Sequence, residues 1–194
     1  MTQPTTNAAQ EQWSRFLLEY VAAEHYPHVY LLVGDRTWRN PLLERLLPSL
    51  LFVNALSLLD DAMKQHIGGL PGKLPKGYRG TLDGRISFLT DTKTVANGSS
   101  LQALRKVRNE VAHTRDRDIS WAELADAIKD VELALQAIGV VGPRPDLQYF
   151  GERSQAMPGT EPGVISVQTF TVGVRENGTE AYVSSWQESL MSSD

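Results

Sequence analysis

The stretch PSLLFVNALSLLDDAMKQH, residues 48 to 66, decides the fold class because it is apolar almost all the way round a helix. A helix of this kind belongs at the centre of a bundle, and Pro48 is tolerated in its first turn. Its polar exceptions follow one another by three, four and three residues: Asn54, Ser57, Asp61 and Lys64. They predict a single polar stripe along the central helix.

Helices are predicted on both sides of this stretch. Apolar residues recur at three- and four-residue steps over 12–23, and weaker patterns cover 41–47 and 82–95. Two clearer helices begin with capping-box patterns, at Ser99 and at Ser120, and the second runs to 138. Residues 67–80 are rich in glycine and proline and predict a loop, and residues 26–40 fit either a short strand or a buried turn.

The chain changes character after residue 141. Residues 142–163 hold four prolines and four glycines, which indicates a linker or an extended wrap. Residues 164–194 contain two β-rich runs around Asn177-Gly178, the strongest short-range signal for a hairpin. The expected fold is therefore mainly α: a helical domain over 1–141 with about five helices, a linker, and a β-hairpin appendage.

Composition excludes several classes of protein. The 194 residues include no cysteine, which excludes a disulfide scaffold, a thiolate zinc site, an iron–sulfur cluster and a cysteine nucleophile. The N-terminus lacks the order of a signal peptide, and the apolar run 50–59 is too short to span a membrane. The chain is expected to be cytoplasmic, without a membrane partner.

Charge is segregated along the chain. The formal net charge is −4, yet residues 64–117 carry +7 and the rest carries −11. Such a local basic region suits an anionic ligand, because binding phosphate needs a basic patch and not a basic protein. The alternative is a solvated face that is rich in lysine and arginine.

One short run carries recognisable chemistry: RKVRNEVAH, residues 105–113. It resembles the signature of the HEPN superfamily, helical domains whose nucleic-acid-processing members are mostly RNases. The family pattern is an arginine followed after four to six residues by a histidine, with a polar residue commonly next to the arginine. Arg108, Asn109 and His113 match these positions, on the fourth of five predicted helices.

The resemblance implies a metal-independent endoribonuclease that needs no cofactor. Histidine suits proton transfer near neutral pH, and arginine offers phosphate a permanent donor fork. His113 would act as general base or acid, Arg108 would stabilise the phosphate, and Asn109 would orient the imidazole from one turn away. The expected products are a 2′,3′-cyclic phosphate and a 5′-hydroxyl.

The resemblance also implies partners. RNA or tRNA is the expected target, in a toxin–antitoxin or antiphage defence setting, with an antitoxin or other defence protein as a further partner. Arg108 and His113 lie about 140° apart on an ideal helix, so one helix presents the pair poorly. Family members commonly pair so that both motifs face a shared cleft, which implies a homodimer. HEPN toxins paired with nucleotidyltransferases usually carry a tyrosine two residues beyond the histidine, where this chain has Arg115, so that subgroup is disfavoured.

Further residues are candidates for secondary roles. Cations in the glycine-rich loop and around the motif are expected to contact the RNA backbone: Lys73, Lys76, Arg79, Arg105, Lys106 and Arg115. Asp60 and Asp61 are candidates to orient Arg108 or His113 from behind, although solvent exposure is the simpler interpretation. His25 and His28 lack further ligands, so no metal site is expected.

Two other classes of function stay open on sequence alone. One is a non-catalytic HEPN scaffold that binds RNA, a ligand or a partner protein through the basic region or the hairpin. The other is a structural subunit whose hairpin completes the sheet of a partner. Incubation with tRNA in EDTA separates binding from cleavage.

Overall fold

The structure is a computed structural model that describes residues 8–25, 29–33, 36–39, 42–113, 117–153, 157–160 and 164–191. Its helices are α1 (Ala8–His25), α2 (Leu47–Gly68), α3 (Leu82–Asp91), α4 (Gly98–His113) and α5 (Trp121–Ala137), with a π-helical turn at Leu42–Leu46. Its strands are β1 (Val29–Val33), β2 (Arg36–Arg39), β3 (Leu147–Arg153), β4 (Met157–Pro158), β5 (Val164–Glu176) and β6 (Thr179–Met191).

The chain divides into two compact units. The first holds α1 up to Phe16, the antiparallel hairpin β1–β2, and α2 to α5. The second holds α1 from Leu17 onward and strands β3 to β6.

Helix α2 is the centre of the first unit. It packs most extensively against α5 and also contacts α3 and α4. Leu59 and Met63 of α2 are fully buried, as are Leu89 of α3 and Leu124 and Ile128 of α5. Apolar residues of the stretch 48–66 therefore pack against neighbouring helices on several sides, as the sequence predicts.

The apolar character of α2 has a second consequence. Among the described residues, one helical stretch, Glu44–Gly68, meets the length and composition of a membrane-crossing helix, with 25 residues and a mean hydropathy of 1.4 in its most apolar window. Of that window, 44% is buried within the protein, and a core helix meets the same criterion. The expectation that the apolar run of the chain is too short to span a membrane is therefore wrong by length and composition.

The ends of α4 and α5 differ from each other. The capping box predicted at Ser120 forms, because the Ser120 hydroxyl accepts from the Glu123 backbone N–H while the Glu123 carboxylate accepts from the Ser120 N–H. The capping box predicted at Ser99 is wrong. Helix α4 begins at Gly98, and the Gln102 amide donates to the carbonyl of Asp83 and the hydroxyl of Ser87 on α3 instead.

The sheet of the second unit is built around β5. Strands β3 and β4 pair antiparallel with one edge of β5, and β6 pairs antiparallel with the other edge. The turn between β5 and β6 is Asn177-Gly178, with both residues at positive φ (51° and 83°), so the predicted hairpin is present.

One close contact fixes the middle of this sheet. Phe150 of β3 and Val183 of β6 both lie opposite Gly173 of β5. A Cβ atom at Gly173 would come within 2.5 Å of the Phe150 ring, so only glycine lets the ring lie across β5. The Arg175 guanidinium carbon then stands 4.5 Å from the centre of the Phe150 ring.

The prediction of a mainly α fold is wrong. The described residues hold five α-helices and a four-stranded antiparallel sheet, so the chain is a mixed α and β protein whose helical part is compatible with the predicted bundle. Strands β3 and β4 lie in the segment 142–163, where glycine and proline suggested a linker. The partners of β3 in β5 lie 17 to 29 residues further along the chain, so no local pattern reveals β3, and β4 is only two residues long.

Candidate functional site

The candidate catalytic residues lie in the last two turns of α4. Asn109 and His113 are exposed, and their four-residue spacing places them on one side of the helix. Arg108 is half-buried and lies further round the helix. His113 is the last residue of α4. The structure thus keeps the three candidates together on one helix and turns Arg108 inward relative to the other two.

The Arg108 guanidinium has no carboxylate partner in the part of the chain that the structure describes. Its Nε atom is buried without a hydrogen-bond partner, as is the Nε atom of Arg85, but no carboxylate among the described residues pairs with the Arg108 guanidinium. Arg85 and Arg105, the other arginines of α3 and α4, both pair with acids: Asp60 and Asp83 respectively. Partial burial of an unpaired cation costs free energy, so the Arg108 site favours an anion at this position.

The chain after α4 is fastened to the start of α2. The Ile119 backbone N–H donates to the Ser49 hydroxyl at 3.0 Å, and that hydroxyl donates to the Arg45 carbonyl. The Arg45 guanidinium forms an ion pair with Asp118. These contacts hold Asp118 and Ile119 against the start of α2 and the turn before it.

Arg117 takes part in the same framework. Its guanidinium lies 3.2 Å from Glu110 of α4 and 3.4 Å from Glu123 of α5. Hydrogen bonds from the Ser120 backbone and hydroxyl, followed by the charge of Arg117, hold the pKa of Glu123 below its ordinary value. Arg117 is therefore neutralised locally, and it contributes less to a basic patch than its sequence position suggests.

The other expected RNA contacts divide into two groups. Exposed side chains without a described ion pair are Lys73, Lys76, Arg79 and Lys106. Arg105 is different, because it bonds to Gln102 at 2.8 Å and pairs with Asp83 at 3.4 Å, so its charge is used between α3 and α4. Arg115 lies outside the described residues.

The acids of α2 have separate environments. Asp61 is exposed on the polar stripe with Asn54 and Lys64, and no hydrogen bond or ion pair joins it to Arg108 or His113 in the described structure. Asp60 instead pairs with Arg85, which is 8% exposed. Sequence reasoning missed this pair, although Arg85 stands among apolar residues at helical spacing on α3.

Of the two histidines with a spacing compatible with metal binding, His25 and His28, the structure describes His25. The His25 Nδ1 atom lies 2.9 Å from the Val21 carbonyl, and its ring stacks on Tyr149 with centroids 4.8 Å apart. Burial raises the pKa of the Tyr149 hydroxyl. His28 lies outside the described residues. Within the described ranges, no group of three or more histidine, aspartate or glutamate side chains is placed to hold a metal ion.

Likeness to known proteins is the remaining source of information on function. Comparisons with known protein families, curated proteins and solved structures find no match to this chain. What the chain does must therefore be inferred from the chemistry of its own residues.

Proposed function

We propose that the chain is a metal-independent endoribonuclease of the HEPN type whose reacting groups are Arg108, Asn109 and His113. The observation that carries the proposal is the half-buried Arg108 guanidinium without a carboxylate partner, on the same two turns as an exposed histidine. A phosphate diester supplies the missing anion, and it also presents a hydroxyl for the histidine to deprotonate.

The reaction follows from these groups. His113 removes the proton from the ribose 2′-hydroxyl, whose oxygen attacks the adjacent phosphorus. Arg108 stabilises the extra negative charge on the phosphate oxygens as the fifth bond forms. The bond to the 5′-oxygen then breaks and that oxygen takes up a proton, which leaves a 2′,3′-cyclic phosphate and a 5′-hydroxyl. Asn109 orients the imidazole from the preceding turn.

Two copies of the chain complete this site better than one. Arg108 and His113 are five residues apart, about 140° round the helix, so a single α4 aims them in different directions. A homodimer in which two α4 helices face one RNA cleft would bring Arg108 of one protomer to His113 of its partner. This arrangement belongs to the proposal and is tested with it.

The decisive experiment compares single variants on total tRNA and on a short RNA in EDTA. We expect Arg108→Ala and His113→Ala each to reduce the cleavage rate at least about 100-fold, because each removes a group that acts in the transition state. Asn109→Ala should have a smaller effect. Lys129→Ala, an exposed cation on α5, is the control and should cleave normally.

Two results would contradict the proposal. One is cleavage by both variants at the wild-type rate. The other is cleavage of an RNA whose scissile ribose carries a 2′-hydrogen, because that substrate has no nucleophile. Circular dichroism of each variant establishes that a loss of cleavage does not reflect unfolding.

A non-catalytic RNA-binding scaffold is the second candidate. It is favoured by one observation: no described side chain hydrogen-bonds to the exposed His113 ring, so nothing in the described part of a single chain fixes the imidazole for proton transfer. Retained tRNA binding without cleavage, with affinity lowered by Arg108→Ala and not by His113→Ala, would support the scaffold over the enzyme.

A further inference from the structure

The two edges of the four-stranded sheet differ in sequence. The edge made by β3 and β4 carries two charged residues, a glycine and a proline: Glu152, Arg153, Gly151 and Pro158. The edge made by β6 carries TEAYVSSWQESLM over residues 179–191, with two glutamates and no proline, lysine or arginine. Irregular pairing between β5 and β6 is confined to the ends of this stretch.

These differences matter because a free edge offers unpaired backbone donors and acceptors to other chains. Proteins protect such edges with charges, prolines, bulges or short strands. The β3–β4 edge has several of these devices. The β6 edge has 13 residues in one strand and, among the described residues, pairs only with β5. It therefore resembles a strand that is meant to be paired.

We infer that β6 pairs antiparallel with β6 of a second copy of this chain, which joins two four-stranded sheets into one. Such a contact is isologous, because each protomer offers the same edge. It consumes both unprotected edges and leaves only the protected β3–β4 edges outside. The pairing therefore closes at a dimer and does not continue into a fibre.

Full overlap of the two strands sets the register. The middle of Thr179–Met191 is Ser185, so a two-fold axis there places Val183 opposite the partner's Gln187. In this register Glu188 faces the partner's Tyr182 and Glu180 faces the partner's Leu190, so no like charges are opposed. The exposed side chain of Val183, at 50%, gains the methylene groups of the partner's Gln187 as a neighbour.

Spin labels test the pairing directly, because the chain has no cysteine of its own. Glu152, Thr171 and Ser185 lie in one row across β3, β5 and β6. With strands 4.8 Å apart, the two Cα atoms of residue 185 should be about 5 Å apart in the dimer and those of residue 152 about 24 Å apart. Nitroxides at Ser185→Cys and at Glu152→Cys should report these separations, apart from the reach of the label.

Two charge-matched variants test the same contact without labels. Val183→Lys with Gln187→Lys adds two positive charges to β6, whereas Glu152→Lys adds two to the protected edge. Both sets lie on the same face of the sheet, since residues 183, 187 and 152 pair with the alternate β5 positions 173, 169 and 171. Sedimentation equilibrium should show the same self-association for wild type and Glu152→Lys, and a smaller assembly for the lysine pair with unchanged circular dichroism.

The inference does not rest on nuclease activity. A wild-type chain that is monomeric at every concentration reached would overturn it, and so would a dimer that the lysine pair leaves intact. The second result would place self-association elsewhere, such as at α4, and would leave the proposed nuclease dimer standing. Loss of the dimer in both charge variants would also overturn it, since the protected edge should not matter.

Discussion

At the scale of single residues, neighbouring acids on α2 should have very different effects on stability. Asp60→Asn removes the carboxylate that pairs with the buried Arg85, and the cation is then left without its partner. We expect a loss of about 2 kcal/mol, less than for a fully buried pair because Asp60 is partly exposed. Asp61→Asn, one residue later and exposed, should change the free energy of unfolding by less than about 0.5 kcal/mol.

Urea denaturation of the two variants measures the difference. Equal stability of both would mean that the pair between Asp60 and Arg85 contributes nothing net. The comparison also bears on the candidate site, because RNA cleavage that survives Asp61→Asn would remove Asp61 from any role in orienting Arg108 or His113.

At the scale of elements, the capping box of α5 supplies both stability and pH dependence. Ser120→Ala removes the hydroxyl that accepts from the Glu123 N–H and donates to its carboxylate. We expect a loss of about 1 kcal/mol, measured by thermal unfolding. Ser99→Ala is the matched control on α4, where the box does not form, and it should cost less.

The direction of the pH effect follows from the lowered pKa of Glu123. The folded chain binds this proton more weakly than the unfolded chain, whose glutamate has the ordinary value of 4.5. The stabilisation is therefore complete above that value and is lost as the pH falls through the lowered pKa. A Ser120→Ala stability deficit that is the same at pH 7 and pH 3 would contradict this account.

Some helices and strands can be predicted from the sequence and others cannot. Helices α2 and α5 follow from apolar spacing, from Pro48 in the first turn of α2 and from the capping box of α5, because helical contacts join residues three and four apart. The strand LQYFGER at 147–153 pairs with residues of β5 that lie 17 to 29 positions further along the chain, so no local pattern predicts it. The failed capping box at Ser99 has a similar cause, since Gln102 finds better partners on α3.

The candidate site, too, can be predicted only in part from the sequence. The spacing of Arg108, Asn109 and His113 is visible because one helix carries all three. The ion pair between Arg105 and Asp83 joins residues that are 22 positions apart in the sequence. The hydrogen bond between Ile119 and Ser49 joins residues that are 70 positions apart. No local signal separates Arg105, which has an acid, from Arg108, which has none.

At the scale of the whole molecule, the segregated charge predicts salt-dependent RNA binding. The loop cations Lys73, Lys76 and Arg79 are exposed and have no described ion pair. Replacing all three with alanine should weaken binding to single-stranded RNA and reduce the slope of log affinity against log salt by about 2. Filter binding from 50 to 300 mM salt measures the slope.

Lys129→Ala serves as the control for that measurement, because Lys129 lies outside the basic region and pairs with Asp126. A slope that the triple variant leaves unchanged would exclude the loop from the RNA-binding surface. If cleavage of a saturating substrate persists in the triple variant while the affinity falls, the loop binds RNA and α4 carries the chemistry.

Helix α1 has a consequence for dissecting the protein, since its residues up to Phe16 belong with the bundle and those from Leu17 belong with the sheet. Neither unit is thus a continuous piece of chain. A fragment that starts at Arg144 would lack the part of α1 from Leu17 onward that belongs to the same unit, including Tyr20 and Val21, which are buried in the full protein. The amino terminus and the carboxyl-terminal third must therefore be kept in one polypeptide if either half is to be studied folded.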